Sequence, residues 1–561
     1  VLILAGHAAL AVSSLALKSV TNDELSHLPA GLAAVTTGEL RLNPQHPPLV
    51  KLLAGLAAST LEPALPLDSP AYRAANQWVF GRRTLFEAGN DPRALLFRGR
   101  LPGVALSVLG GLAVFLWSGR RFGGAGGLLS LSLYAFSPTV LAHGRLVTMD
   151  AAVAAGTVWT LYLWWRATGP GGPAGGTWLR PAACGLALGL ALSAKFSALL
   201  LVPTLPLVEL MARGWGDAPR WRRRAIAWLA VAVPALVVVE ALYLLSADPL
   251  RYLRDLGTLY PDYASHSPDF PVYLAGNFRP GGFPHYFLAA LAVKTTLPAL
   301  LAWAGALALA ARAALRRDPR WRDDLYLWLP AAVWIAVHSA LAHDLGVRYV
   351  LPVYPLLAVL AGGIVPALSG WRRRAGDPAR LAPRVAVLLV PVLALAQLSA
   401  AVAAWPDYLP FFHRLAGGAR GGVHWLDDSN LDWGQDLARL APWLEAKGIA
   451  SVRLLYYGAG VPEAYGVKRE PMLPSDWLEA PRPGDYVISA EYLIRGLHQA
   501  RTEGAASDWL VRYRPSDVLG GTLYLYRFPG PDGPGAPPAG EAEAGPGGPS
   551  GEPEQPEPRG P

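Results

Sequence analysis

The chain has 561 residues, 52% of them hydrophobic and only 16% charged, with 49 Lys and Arg against 41 Asp and Glu for a formal net charge of +8. Its apolar residues are gathered into long blocks instead of recurring at amphipathic spacing, which argues against a water-soluble globule and for a polytopic α-helical membrane protein. The surplus cations sit in Arg-rich loops with no interleaved aromatic surface, so no nucleic acid is expected as a partner, and the single cysteine, Cys184, lies inside an apolar block as a structural thiol that excludes an internal disulfide framework.

Membrane-length apolar blocks occur at 1–18, 101–118, 125–142, 151–165, 182–194, 197–211, 225–246, 286–310, 325–341, 350–369 and 383–404, about 11 transmembrane helices in all. The first is read as a retained helix, because no convincing small-residue cleavage site follows Leu17. If every block crosses, five basic groups fall on one side. They are Arg120 and Arg121; Arg166 and Arg180; Arg213, Arg220, Arg222, Arg223 and Arg224; Arg316, Arg317, Arg320 and Arg322; and Arg372, Arg373 and Arg374. That side is then cytoplasmic. The agreement also favours two crossings within 182–211, where Lys195 interrupts the apolar run.

The opposite side receives a first outer loop at 19–100, the turn 143–150, the turn at Lys195, the loop 247–285, the turn 342–349 and everything after 405. Residues 1–404 thus form the membrane domain. From 405 to 528 the pattern changes. Val452 to Tyr457, Tyr486 to Ser489 and Thr522 to Tyr526 read as short strands and Leu437 to Lys447 as a helix, a small C-terminal extracytoplasmic α/β domain. Residues 529–561 are Gly, Pro, Glu and Ala with almost no apolar side chains, and are expected to be a disordered tail.

The polar residues with unusual company lie on the outer side. Asp23 and Glu24 stand just beyond the first apolar block, with His27 one helical turn on, and Asp150 closes a second turn at the mouth of the next block. Arg98, Arg100, Lys195 and Arg348 collect at the same face, and Lys294 lies about two turns inside the eighth block. A carboxylate that activates an acceptor hydroxyl, beside cations that bind a phosphate leaving group, suits transfer chemistry on a lipid phosphate. Each cation alone is equally well read as snorkelling to the interface. His46 is held in a stiff turn by Pro44, Pro47 and Pro48. His27, His46, His143 and His343 could join Asp23, Glu24 or Asp150 as ligands of a divalent metal cation, but no HExxH or CxxC spacing supports a metal.

The run Asp23-Glu24-x-x-His27, Gly38, Asn43-Pro44-Gln45-His46-Pro47-Pro48-Leu49 and Lys51 resembles the first outer loop of family 39 glycosyltransferases of the GT-C superfamily. That family includes the protein O-mannosyltransferases and the lipid A aminoarabinose transferase. Phe136-Ser137-Pro138 through His143-Gly144 to Thr148-Met149-Asp150 resembles their second acidic loop, and Lys195, His285-Tyr286-Phe287 with Lys294, and Gly346-Val347-Arg348-Tyr349-x-x-Pro352-x-x-Pro355 extend the match. The segment from Asp427 to Asp436 resembles a domain attached to a bacterial subgroup.

The resemblance implies an inverting enzyme of the bacterial cytoplasmic membrane. It would transfer a sugar from a polyprenyl-phosphate donor to an extracytoplasmic acceptor, whether protein, lipid or cell-envelope glycan. By matching position Asp23 is the candidate base and Asp150 the second acid. Glu24, His27, His46 and His143 would line the same cavity, and Arg100, Lys195, Lys294, Arg348 and Tyr349 would meet the lipid phosphate. Asp150 is followed by Ala151, not a second acid, and no long repeat domain fills the third loop, which argues against a eukaryotic-type protein mannosyltransferase. A transporter or flippase of a lipid-linked sugar is the alternative, although the charges cluster at one face and no internal repeat is visible. Asp427, Asp428, Asp432 and Asp436 lack the loop Gly and terminal Glu of an EF-hand, so capping or solvation is favoured over a cation site there. Trp433 and Tyr465 are read as core or as acceptor-sugar contacts.

Overall fold

The computed structural model describes residues 1–168, 178–214, 218–244, 248–259, 271–371, 381–473, 476, 481–503 and 509–529. The expected tail lies outside the described residues from 530 onward.

The chain is predominantly helical. Among the described residues five helices are long and apolar enough to cross a membrane: Pro92–Ala135, Phe196–Arg213, Arg224–Leu242, Leu297–Leu315 and Trp321–Leu341. Shorter apolar helices include Leu2–Leu15, Leu179–Ala194, Val353–Leu368 and Leu388–Ala404. Leu229, Leu236 and Val237 on one of the long helices are more than half exposed, as on a helix that packs against hydrocarbon. The blocks expected at 101–118 and 125–142 are two helices that meet at Gly123, whose φ of +80° and ψ of 173° interrupt the helical run Pro92–Ala135 between them. The block 286–310 is likewise broken, at Thr295 and Thr296, with Pro298 in the first turn of the next helix.

The first outer loop is largely helical. Helices Asn22–Thr37 and Leu49–Ser59 cross where Gly31 faces Gly55. A Cβ on Gly31 would stand 1.9 Å from the Lys51 carbonyl oxygen, so the two backbones touch and only glycine fits. Asp23 and His27 lie on the first of these two helices.

After residue 405 a five-stranded sheet runs in the order β4-β3-β5-β7-β6, with β3 Val452–Leu455, β4 Arg469–Pro471, β5 Gly484–Ser489, β6 Asp517–Leu519 and β7 Leu523–Phe528. A short hairpin, β1 Val272–Leu274 with β2 Asn277–Arg279, precedes it. β3 pairs parallel with β4 and β5, whereas β7 pairs antiparallel with β5 and β6. Leu437, Leu440 and Leu444 of the helix Leu437–Glu445 pack with Val452, Leu454, Val487 and Leu525 of the sheet, the usual way for an amphipathic helix to bury its apolar stripe.

Candidate functional site

Glu24 and Arg100 form a sealed pair. Arg100 Nε donates to Glu24 Oε1 at 2.8 Å and its Nη2 to Oε2 at 2.6 Å. Its remaining N–H groups go to the carbonyls of Leu15, Lys18 and Ser19, so all five guanidinium donors are used. Glu24 also accepts from the N–H groups of Thr21 and Val147. Both side chains are at most 1% exposed. Burial pushes the Glu24 carboxyl up, but Arg100 and these hydrogen bonds outweigh it and hold it below its ordinary value.

Beside that pair, four charges from four separated segments alternate in sign. Asp23 lies in the first turn of the helix Asn22–Thr37 and Asp150 begins the helix Asp150–Thr168, positions where the helix dipole favours a carboxylate. Lys195 sits at the extended residue that ends Leu179–Ala194, and Arg348 on the 3₁₀ turn Val347–Val350. Arg348 Nη1 donates to Asp23 Oδ2 at 2.7 Å and lies 3.8 Å from Asp150 Oδ2, while Lys195 Nζ donates to Asp150 Oδ1 at 2.7 Å. Tyr349 lies beneath both cations, 4.5 Å from Lys195 Nζ and 5.2 Å from the Arg348 guanidinium carbon. The Asp23 side chain is 22% exposed and that of Asp150 only 1%, so Asp23 is the carboxylate open to solvent. Among the described residues Asp150 Oδ2 makes no hydrogen bond, and the buried Arg348 Nε and His143 Nδ1 have no hydrogen-bond partner.

The other expected residues are placed as follows. His27 Nδ1 is 2.7 Å from the Val147 carbonyl oxygen, and its ring meets His46 edge-on at 5.1 Å. Burial depresses both imidazoles, His46 more strongly, so they are neutral near pH 7. Lys294 is 2% exposed and its ammonium is taken up by backbone, donating to the carbonyls of Leu409 and Asn430 and lying 4.4 Å from the Phe412 ring centre. Among the described residues no group of three or more His, Cys, Asp or Glu could hold a metal ion.

Sequence reasoning missed the part played by the Asp427–Asp436 run. Asn430 Oδ1 accepts the N–H of Val347, next to Arg348, and Trp433 lies over the Arg348 guanidinium at 4.3 Å. The density of polar residues around one tryptophan was the visible signal; what it contacted was not. Trp433 and Tyr465, 2% and 4% exposed, present no open ring to an acceptor. Asp436 is tied to Lys18, Arg439 and Thr522. Burial raises Asp432 to about 8. Between the ordinary carboxyl value, about 3.9, and that folded value, the folded state holds a proton the unfolded state has released, so stability falls as pH rises through this window. Asp432→Asn should therefore flatten the loss of melting temperature between about pH 4 and 8; an unchanged slope would show that Asp432 is not its source.

Residues 94–243 match the family described as dolichyl-phosphate-mannose-protein mannosyltransferase. The resemblance read from the motifs is borne out by that match. Among solved structures, the chain is similar to the apo oligosaccharyltransferase of Archaeoglobus fulgidus, at 12% identity over 88% of this chain and 71% of that one, with a TM-score of 0.50. It is also similar to ArnT from Cupriavidus metallidurans bound to undecaprenyl phosphate, at 16% identity over 93% of this chain and 97% of that one, with a TM-score of 0.47. No curated protein matches the chain. The fold is that of the Archaeoglobus fulgidus oligosaccharyltransferase.

Proposed function

We propose that this protein is an inverting glycosyltransferase of the membrane that moves a sugar from a polyprenyl phosphate to an acceptor hydroxyl or amine. The observation that carries the reading is the Asp23–Arg348–Asp150–Lys195 alternation, in which one acid is reachable and the cations stand directly behind it. Asp23 takes the proton from the acceptor as its oxygen or nitrogen bonds to the anomeric carbon. The bond from that carbon to the phosphate oxygen breaks, and its electron pair leaves with the polyprenyl phosphate. The phosphate thereby gains one negative charge, which Arg348 and Lys195 stabilise with little reorganisation because Asp150 already holds them in place. A single displacement inverts the anomeric carbon. The neutral His27 and His46 shape the cavity beside Asp23, with Lys51 bracing their turn through the carbonyls of Asn43 and His46. On this reading Glu24, Arg100 and Lys294 are structural supports.

On this reading the site and the residues after 405 lie outside the cytoplasmic membrane of a bacterium, with about 11 crossings; the Arg-rich loops support that sidedness. The acceptor would be a protein, a lipid or an envelope glycan. The test is transfer by purified protein from radiolabelled polyprenyl-phosphate sugars to an envelope acceptor fraction, comparing wild type with Lys195→Met. Losing one of the two leaving-group cations should lower turnover about 10²–10³-fold. Flipping of the labelled donor across vesicles with no transfer would instead support a transporter.

A further inference from the structure

The Asp427–Asp436 run is left without a task by the chemistry above, yet it holds Arg348 from two directions. Ser429 Oγ donates to the Leu345 carbonyl at 2.6 Å, and Asn430 Oδ1 accepts from the Val347 N–H at 2.8 Å. Asn430 is itself held by Tyr286 at 2.9 Å and is completely buried. Between Leu345 and Val347 stands Gly346, where a Cβ would meet Ser429 Oγ at 2.3 Å, so the two strands of chain are in contact. These bonds fix the backbone that carries Arg348. Trp433 then covers the side chain, with its ring centre 4.3 Å from the guanidinium carbon.

The backbone that carries the indole is itself braced. Gln435 Oε1 accepts from the Trp433 backbone N–H at 2.7 Å, and Gln435 Nε2 donates to the Leu431 carbonyl at 2.9 Å. Gly434 follows at φ +83°, against the Tyr456 hydroxyl and Gly458, where a side chain would be both strained and crowded.

We propose that Asn430 and Trp433 are positioning residues for Arg348: Asn430 sets the turn and Trp433 the plane of the guanidinium, so that Nη1 stays directed at Asp23 and Asp150. The inference rests on the reading of Arg348 as partner of the leaving phosphate. A free arginine has many rotamers, and a cation contributes most to a developing anion when it does not have to be reoriented. A desolvated aromatic face supplies that constraint through the ring quadrupole. The residues after 405 are therefore part of the catalytic unit, not an appendage to it.

The test compares full-length wild type, Trp433→Leu and Trp433→Phe in lipid nanodiscs. Trp433→Leu should lower kcat about 30-fold, the equivalent of one desolvated cation–π contact, with the acceptor KM little changed, and Trp433→Phe should recover most of the loss. Cryo-electron microscopy of Trp433→Leu should show the guanidinium withdrawn from Asp23 with the surrounding helices unmoved. Wild-type kcat in Trp433→Leu, an equal loss in Trp433→Phe, or an Arg348 that stays on Asp23 would each overturn the proposal. If Trp433→Leu does not fold, Trp433→Met fills more of the indole volume without a ring and takes its place. If the wild type transfers no sugar, the functional reading fails, and the Arg348 position in the variant still decides the positioning role.

Discussion

Asp23→Asn should reduce sugar transfer by about 10²–10⁴-fold, the range for removal of a general base, while the protein inserts, purifies and melts like wild type. The asparagine keeps an oxygen for the 2.7 Å contact with Arg348, and Asp150 remains 3.8 Å from the same nitrogen, so the cation is not stranded. Asp23 is the acid with solvent access, which is why its loss should appear in turnover and not in folding. The measurement is single-turnover transfer from a saturating labelled donor, beside a thermal melt of the same preparation. Transfer at the wild-type rate would remove Asp23 as the base.

Its neighbour should behave in the opposite way. Glu24→Gln leaves the Arg100 guanidinium buried with no counter-charge, and stranding one member of a buried pair costs about 3–5 kcal/mol. We expect a lower melting temperature and poor recovery from the membrane, with specific activity largely retained in whatever fraction folds. The pH dependence follows from the depressed Glu24 value. Its contribution is fully present above the unfolded carboxyl value, about 4.3, and is lost as pH falls through the folded value. Wild type should therefore lose stability on acidification more steeply than Glu24→Gln. A Glu24→Gln protein as stable as wild type would show that the pair contributes nothing net.

The two adjacent acids could not be told apart from the chain alone. Both stand outside the first apolar block, and both fit a list of site candidates. What separates them is the direction each side chain takes from one helical turn. Glu24 turns towards Arg100 and the start of its own helix, whereas Asp23 turns towards Arg348, more than three hundred residues away in sequence. Lys294 and Arg348 pose the same problem: both are cations flanked by apolar sequence, but one ends on backbone carbonyls and the other between two carboxylates.

The helical, membrane-length blocks, the strands and helix after residue 405, and the short motifs that gather Asp23, Asp150, Lys195 and Arg348 as candidates are all readable along the chain. These are legible because hydrophobic block length, two-residue periodicity and turn chemistry are local properties. Packing in three dimensions was needed to see which charges neutralise one another, that the first outer loop is built on the Gly31 and Gly55 crossing, and that Trp433 lies on Arg348. Ion pairing and stacking depend on distances of a few ångströms between residues far apart in the chain. No local pattern encodes those distances, because they follow from how all the helices pack at once.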